Sequence, residues 1–448
     1  MQPGSSPRTS GDSMFDRREL LRIGALSLFA APFSHAGKVA AADLSVRRRS
    51  CIFIMLQGGP SHHDLWDPKP QASAEVRGPF HTIDTAVPGV RFGELMAQTA
   101  TVADRLAVLR GMTHKFTNHI AGTYVTLTGS NNQRDADREA HSDDFPGPGA
   151  VLNRLEKSTP QVPRSVSLPN WLSIPGPSNR MPGQYGGFLG SVYDPFVIAG
   201  DPHQPDFNPL SLSLPEGMST PRLRSRIDLS RQLDQAARRL EAGLSRRYDH
   251  LIESAYDMVA DGRVREALDL TNEPDSMRDR YGRNKLGQSL LLARRLIEAG
   301  VQMVAYNEFN QKWDTHGGLE GRYRKIVPEM DQGFAALVAD LDDRYLLDDT
   351  LVINTGEFGR TPVINQQAGR DHWPNAYTTV LAGGGIRGGH VYGASDTKGA
   401  EVAEQPTHPS DVLATMWRQL GVSPTTVIYD RLHRPHLVSD GRVLDELL

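Results

Sequence analysis

The chain has 448 residues, 38% hydrophobic and 23% charged, with 49 Lys and Arg against 53 Asp and Glu for a formal net charge of −4. This composition excludes a disordered chain and a membrane bundle, and the lack of any long block of one sign excludes electrostatic wrapping of nucleic acid. A single cysteine, Cys51, excludes an intrachain disulfide framework and a Cys-based zinc site.

At the N-terminus, Arg17 and Arg18 precede an apolar run from Ala25 to Phe33 that is too short to span a bilayer. Small residues at Ser34-His35-Ala36 and from Val39 to Ala42 then offer cleavage sites. That order is the one of a twin-arginine export signal. Residues 1–42 are therefore expected to be signal and linker, recognised by the twin-arginine export machinery, with a single α/β domain over 43–448. The expected location is the periplasm or cell envelope, with no stable transmembrane span.

The first predicted strand is the continuous apolar run Cys51 to Leu56, as expected of a strand covered on both faces. It empties into Gln57-Gly58-Gly59-Pro60-Ser61-His62-His63-Asp64, where glycines allow close backbone approach and His and Asp supply ligands. A helix is predicted from Glu94 to Asp104 and a strand from Leu106 to Leu109, leading to His114. Asn118 caps a short helix that Gly129 ends, which puts His119 at the positive end of a helix dipole.

Residues 134–148 read as a polar loop carrying His141, Asp143 and Asp144, and Ser165 to Leu168 as a strand. Pro175 to Pro209, rich in Pro, Gly and aromatics, reads as a long ordered loop over the sheet. Leu233, Ala237, Leu240 and Leu244 recur at helical spacing, so 224–283 reads as a helical insertion. Leu286, Leu290, Ala293 and Ile297 then make a helix stripe ended by Gly300, and Val301 to Tyr306 a strand. The loop Trp313-Asp314-Thr315-His316-Gly317-Gly318 follows, with a helix begun or kinked at Pro328 and striped by Met330, Phe334, Leu337 and Leu341.

The next apolar run, Leu351 to Ile353, ends in Asn354-Thr355-Gly356-Glu357, and Asp371-His372 lies shortly beyond. Tyr377 to Leu381 is a further strand, and a helix from Pro409 to Leu420 closes the domain with Gly421 past its end. Three strand ends thus offer acids or histidines beside glycine: Asp64 with His62 and His63, Asp314 with His316, and Glu357 with Asp371 and His372. Ligands of open α/β sheets gather at the carboxyl ends of strands, so these groups predict a metal or anion site there. There is no HExxH, Walker loop, dinucleotide fingerprint or GxSxG elbow.

The segments MLQGGPSHHDLWDPKP, GMTH, NHIAGTYVTLTG, PGQYGGFLGSVYDPF, WDTHGG, GEFGRTP, GRDHWP and LAGGGIRGGHVYGASD occur in one order from about residue 50 to the C-terminus. Together they resemble the bacterial domain-of-unknown-function family fifteen-oh-one, common in planctomycetes, within the alkaline-phosphatase-like superfamily of sulfatases and phosphomutases. The resemblance implies an alkaline-phosphatase-like three-layer sandwich, with a mainly parallel sheet between helices, and the ancestry of a metal-assisted hydrolase. It also implies departures. His119 stands where sulfatases place the Cys or Ser that becomes formylglycine, Phe358 replaces the His or Asn after the strand-end acid, and Gln57 replaces an acidic ligand.

The resulting expectation is an exported hydrolase-like protein acting on a small-molecule or glycan sulfate or phosphate ester. In it Asp64, Asp314, His316, Glu357, Asp371 and His372 bind one divalent ion (Zn, Ca or Mn). His119 serves as nucleophile or general base beside Asn118, and Arg360 holds an oxyanion. The alternative is a non-catalytic binding or scaffold protein of the cell envelope with a degenerate site.

Overall fold

The computed structural model describes residues 49–131, 136, 138–155, 162–173, 180–207, 222, 225, 262–308 and 311–448. The expected export signal at 1–42 lies outside the described residues, as does the stretch of the expected insertion that carries Leu233, Ala237, Leu240 and Leu244. Of that insertion, the described residues include two short helices, Gly262–Leu268 and Asp275–Tyr281.

Eight strands among the described residues form one sheet: β1 Ser50–Met55, β2 Leu106–Met112, β3 Ser165–Leu168, β4 Phe196–Val197, β5 Met303–Asn307, β6 Thr350–Thr355, β7 Tyr377–Ala382 and β8 His390–Tyr392. Their order is β8-β2-β7-β6-β1-β5-β3-β4. β7 is antiparallel to both neighbours, β2 and β6, and every other pairing is parallel. This is the mixed, mainly parallel sheet that the sequence predicts. The edge strand β4 was not expected, because it is a two-residue strand inside the aromatic loop and too short to leave a period.

Alternation along β1 assigns its side chains to two cores. Ile52, Ile54 and Leu56 pack on one face with Leu290 and Leu337, from α2 Lys285–Glu298 and α3 Leu319–Asp343. Cys51, Phe53 and Met55 pack on the other with Leu413, Met416 and Trp417 of α4 Pro409–Gln419 and Ile120 of α1 His119–Thr128. Helices on both faces explain why β1 and β6 read as unbroken apolar runs, and each large side chain so buried contributes about 1.5–3 kcal/mol.

α3 runs through Pro328, where a start or kink was expected. The reason is burial on both sides of the proline: Leu319, Tyr323 and Val327 before it, and Met330, Phe334 and Leu337 after it, are all enclosed. One continuous buried stripe outweighs a cost of about 3 kcal/mol for interior proline.

The central strands also end level. Met55 of β1 pairs with Asn307 of β5 and Thr355 of β6, so the loops beyond all three leave the sheet at its carboxyl edge. β7 enters from that edge, which brings His372 back to it. Farther along the chain, β9 Val427–Tyr429 and β10 Pro435–Leu437 form a separate antiparallel ribbon.

A histidine and aspartate cluster at the carboxyl edge

Three loops deliver the cluster. Asn118 caps α1 through its side-chain oxygen, which accepts from the amides of Ile120 at 2.9 Å and Ala121 at 3.4 Å, and this fixes His119 in the first turn. Asp314 and His316 come from the loop beyond β5, whose Trp313 amide donates to the Gln57 carbonyl at 3.1 Å. His372 pairs with Arg360 in a two-stranded ribbon of Gly359–Arg360 against His372–Trp373, so the GEFGR and GRDHW segments fold onto each other.

The Asp314 carboxylate lies at the centre. His119 Nε2 is 3.3 Å from its Oδ2, while its Oδ1 lies 3.2 Å from His316 Nε2 and 3.3 Å from His372 Nε2. The two latter nitrogens are 3.0 Å apart. His119, Asp314 and His372 bring ligand-type atoms within 4.8 Å of one another, the spacing of a metal-binding group.

Each member has a partner behind it. His119 Nδ1 lies 2.6 Å from Glu357 Oε1, His316 Nδ1 lies 2.6 Å from Asp371 Oδ1, and His372 Nδ1 donates to the Thr117 carbonyl at 2.7 Å. A carboxylate or carbonyl oxygen only accepts, so each of the three rings carries a proton on Nδ1 and turns its Nε2 toward Asp314. Asp314 is held by Arg360, whose Nη2 donates to its Oδ1 at 2.7 Å. Two imidazoles, His119 and His372, and the Asp314 carboxylate make a donor set that a divalent transition metal takes, with His316 beside it and with the oriented second partners such sites have.

The residues therefore fit a cation, and one atom tests the fit. His119 Nε2 is buried and has no hydrogen-bond partner, because its 3.3 Å approach to Asp314 is a charge contact and not a directed bond. Burial disfavours charge on His119, but Asp314 and Glu357 on its two sides outweigh that and raise its pKa to about 9. Burial pulls His372 down. Burial opposes the charge on Asp314, yet His119, His372 and Arg360 hold its carboxyl far below the usual range. The His316 hydrogen bond likewise lowers Asp371.

Several expected site residues have other positions. Asp64 is not in the cluster: its Oδ2 accepts from Ser61 Oγ at 2.5 Å and Arg370 Nε at 2.9 Å, and both charged groups are fully enclosed. Glu357 stands behind His119, and its carboxylate is filled by the amides of Gly58 at 2.8 and 3.0 Å and Gly59 at 3.1 Å. Asp371 stands behind His316 in the same way. Arg360 is fully buried and donates to the carbonyls of Gly58, Gly59 and Arg370 as well as to Asp314, so it is not placed to clamp a substrate oxyanion. Asn118 has a helix cap as its observed task.

Sequence reasoning missed the Thr117 carbonyl, the paired glycine amides and Arg370 as partner of Asp64. It also missed His114, whose Nε2 donates to the Glu357 carbonyl at 2.6 Å. The first two are backbone groups with no residue signature, although the GGP turn hinted at close approach. Gly58 has φ +113°, and a Cβ there would sit 2.4 Å from the Asp314 amide nitrogen.

A family model described as "Protein of unknown function (DUF1501)" matches residues 48–448. No curated protein matches the sequence. Among solved structures, the chain is similar to a phosphonate monoester hydrolase from Silicibacter pomeroyi at 12% identity, covering 90% of this chain and 76% of that one with a TM-score of 0.40. A sulfatase from Pseudoalteromonas sp. matches at 12% identity over 84% and 68% of the two chains, with a TM-score of 0.37. The C-terminal periplasmic domain of EcEptC from Escherichia coli, in complex with Zn, matches at 7% identity over 85% and 84%, with a TM-score of 0.37.

Proposed function

We propose a function for a chain that belongs to the DUF1501 family: an exported hydrolase-like protein that binds one divalent ion and cleaves sulfate or phosphate esters. The observation that carries the reading is the convergence of the Nε2 atoms of His119, His316 and His372 on Asp314, each ring with its Nδ1 already engaged. Those four residues would hold the ion. Bound there, a divalent cation supplies Lewis acidity and makes a coordinated water a nucleophile near neutral pH.

The remaining roles belong to the chain. Glu357 keeps the His119 proton on Nδ1, Asp371 does so for His316, and Arg360 fixes Asp314 against rotation. Because position 119 carries an imidazole aimed at Asp314 and no hydroxyl or thiol, transfer goes to water in a single displacement without a covalent enzyme ester. The nitrogen-rich donor set favours zinc over manganese and calcium, which prefer oxygen ligands. Export rests on the Arg17-Arg18 segment.

A second reading, a non-catalytic binding protein of the cell envelope, draws on one observation: the guanidinium nearest the cluster, Arg360, is enclosed and already bonded. Chromogenic sulfate and phosphate esters, tested with zinc and with manganese, separate the two. Turnover that is lost in His372→Ala supports the enzyme. Stoichiometric metal binding with no turnover on any ester supports the binding protein.

A further inference from the structure

Of the three cluster histidines, His316 has the least support from regular structure. His119 sits in a capped helix and His372 in a ribbon, whereas His316 lies in a loop with its side chain 48% exposed. That loop is held by the hairpin end, residues 361–371, which joins the two strands of the ribbon. The amides of Gly318 and Leu319 donate to the Gln367 and Ala368 carbonyls, both at 2.9 Å, and the Arg370 amide donates to the Thr315 carbonyl at 2.9 Å. The two loops lie so close that a Cβ on Gly369 would sit 2.2 Å from the His316 carbonyl carbon.

Asn365, half-buried in this hairpin end, ties the loops together through its side chain. Its Nδ2 donates to the His316 carbonyl at 2.9 Å and to Asp371 Oδ1 at 3.3 Å, and its Oδ1 accepts from the amides of Gln367 and Gly369, both at 3.0 Å. Two acceptors on one side and two amides on the other leave one orientation for the carboxamide, with all four of its hydrogen-bonding positions used. The Asp371 oxygen that it reaches is the same Oδ1 that meets His316 Nδ1 at 2.6 Å. Main chain and ring of His316 are thus fixed from one amide group.

We infer that Asn365 is a positioning residue for His316, holding its main chain directly and its ring through Asp371, so that Nε2 stays turned toward Asp314. Its four bonds go to the hairpin, to His316 and to Asp371, so it acts through His316 and not on an ion. A ring fixed in advance needs no ordering when a ligand arrives, which is what a loop-borne and exposed histidine otherwise requires. The consequence for ion affinity rests on the function proposed above, whereas the consequence for the ring does not.

The test compares Asn365→Asp with wild type. Aspartate is isosteric, keeps the bonds from the Gln367 and Gly369 amides, and replaces the NH2 group by an oxygen that repels Asp371 and the His316 carbonyl. In the metal-free chain at mildly alkaline pH, where an ordinary imidazole is neutral, heteronuclear NMR of histidine-labelled protein reads the ring tautomer, with the His316 signals assigned by their loss in His316→Ala. Wild type is expected to show the Nδ1–H form and Asn365→Asp a mixture, at unchanged thermal unfolding. Zinc affinity, read by chelator competition, is expected to fall about tenfold in Asn365→Asp, although the added negative charge by itself favours a cation. In a His316→Ala background the same change is expected to lower affinity by less than about twofold. Gln367→Ala, whose main chain alone takes part in these bonds, is the control expected to change neither readout. Unaltered His316 signals in Asn365→Asp overturn the inference, and so does an equal loss of zinc affinity with and without His316, which would make Asn365 a brace for the whole loop. A wild-type chain that binds no zinc overturns the ion site instead, and the ring signals then decide on Asn365.

Discussion

His316 and His372 meet Nε2 to Nε2 at 3.0 Å while the Nδ1 of each is bound to an oxygen, Asp371 Oδ1 at 2.6 Å and the Thr117 carbonyl at 2.7 Å. With Nδ1 of each ring engaged, the two Nε2 atoms are the ring positions left to face a shared cation. Purified protein given zinc or manganese is therefore expected to retain about one equivalent through gel filtration. His316→Ala and His372→Ala should each lower affinity by more than about a hundredfold, since a ligand is removed outright. Wild-type protein with no retained metal by mass spectrometry would sink the reading.

The two aspartates outside the centre of the cluster should fail in different ways. Asp371 is half exposed and acts through His316, so Asp371→Asn is expected to weaken metal affinity by about 10- to 100-fold at unchanged thermal stability. Asp64 is enclosed with Arg370, so Asp64→Ala strands a buried guanidinium and should cost about 3–5 kcal/mol in denaturant unfolding. At saturating metal the folded fraction of Asp64→Ala should still bind one equivalent. A stable Asp64→Ala protein devoid of metal would show that Asp64 is a ligand after all.

Gly58→Ala joins backbone strain to the site. The residue has φ +113°, and its added Cβ would press on the Asp314 amide from 2.4 Å. A stability loss of about 1–3 kcal/mol is expected, together with weaker metal retention because the Asp314 loop must retreat. The same substitution at Gly89, where φ is +83° but open space surrounds the Cβ, should leave metal retention unchanged.

Acid should destabilise the fold through the His62-His63 pair. Burial pushes His62 down to about 4, with Asp67 only partly opposing, and burial also lowers His63. The unfolded chain protonates these rings near 6.5, so between there and about 4 it binds more protons than the folded chain does. Stability is thus complete above pH 6.5 and falls with pH through that window, with His62 alone contributing up to about 3 kcal/mol. The check is urea unfolding at a series of pH values with His62→Gln beside wild type. A wild-type slope no steeper than that of the variant would remove His62 as the cause.

The sheet was legible because its signal is local. Strands covered on both faces must be apolar throughout, and Cys51 to Leu56 and Leu351 to Ile353 could hardly be anything else. The caps Asn118 and Gly129 were legible for the same reason. The site was legible in part: His119, Asp314, His316 and His372 do come together. What composition could not separate was the carboxylate at the centre of the cluster from those that stand behind a histidine or outside it. Glu357, Asp371 and Asp64 are all acids beside glycine and histidine, and only the third dimension tells that Glu357 faces the Gly58 and Gly59 amides while Asp64 faces Arg370. A helix start at Pro328 was one of two expectations there, and it fails because α3 is buried along its whole length, on both sides of the proline.

The four converging residues are numbered 119, 314, 316 and 372, so they span more than half the length of the chain. Within the four, only Asp314 and His316 are near neighbours in the chain, so the β1, β5 and β6 ends must already be level before the four side chains meet. On the proposed reading, ion uptake is expected to follow folding and not to nucleate it. It follows that chelation should strip the ion reversibly and leave the sheet intact, lowering the unfolding temperature only by the mass-action contribution of a ligand that binds the native state.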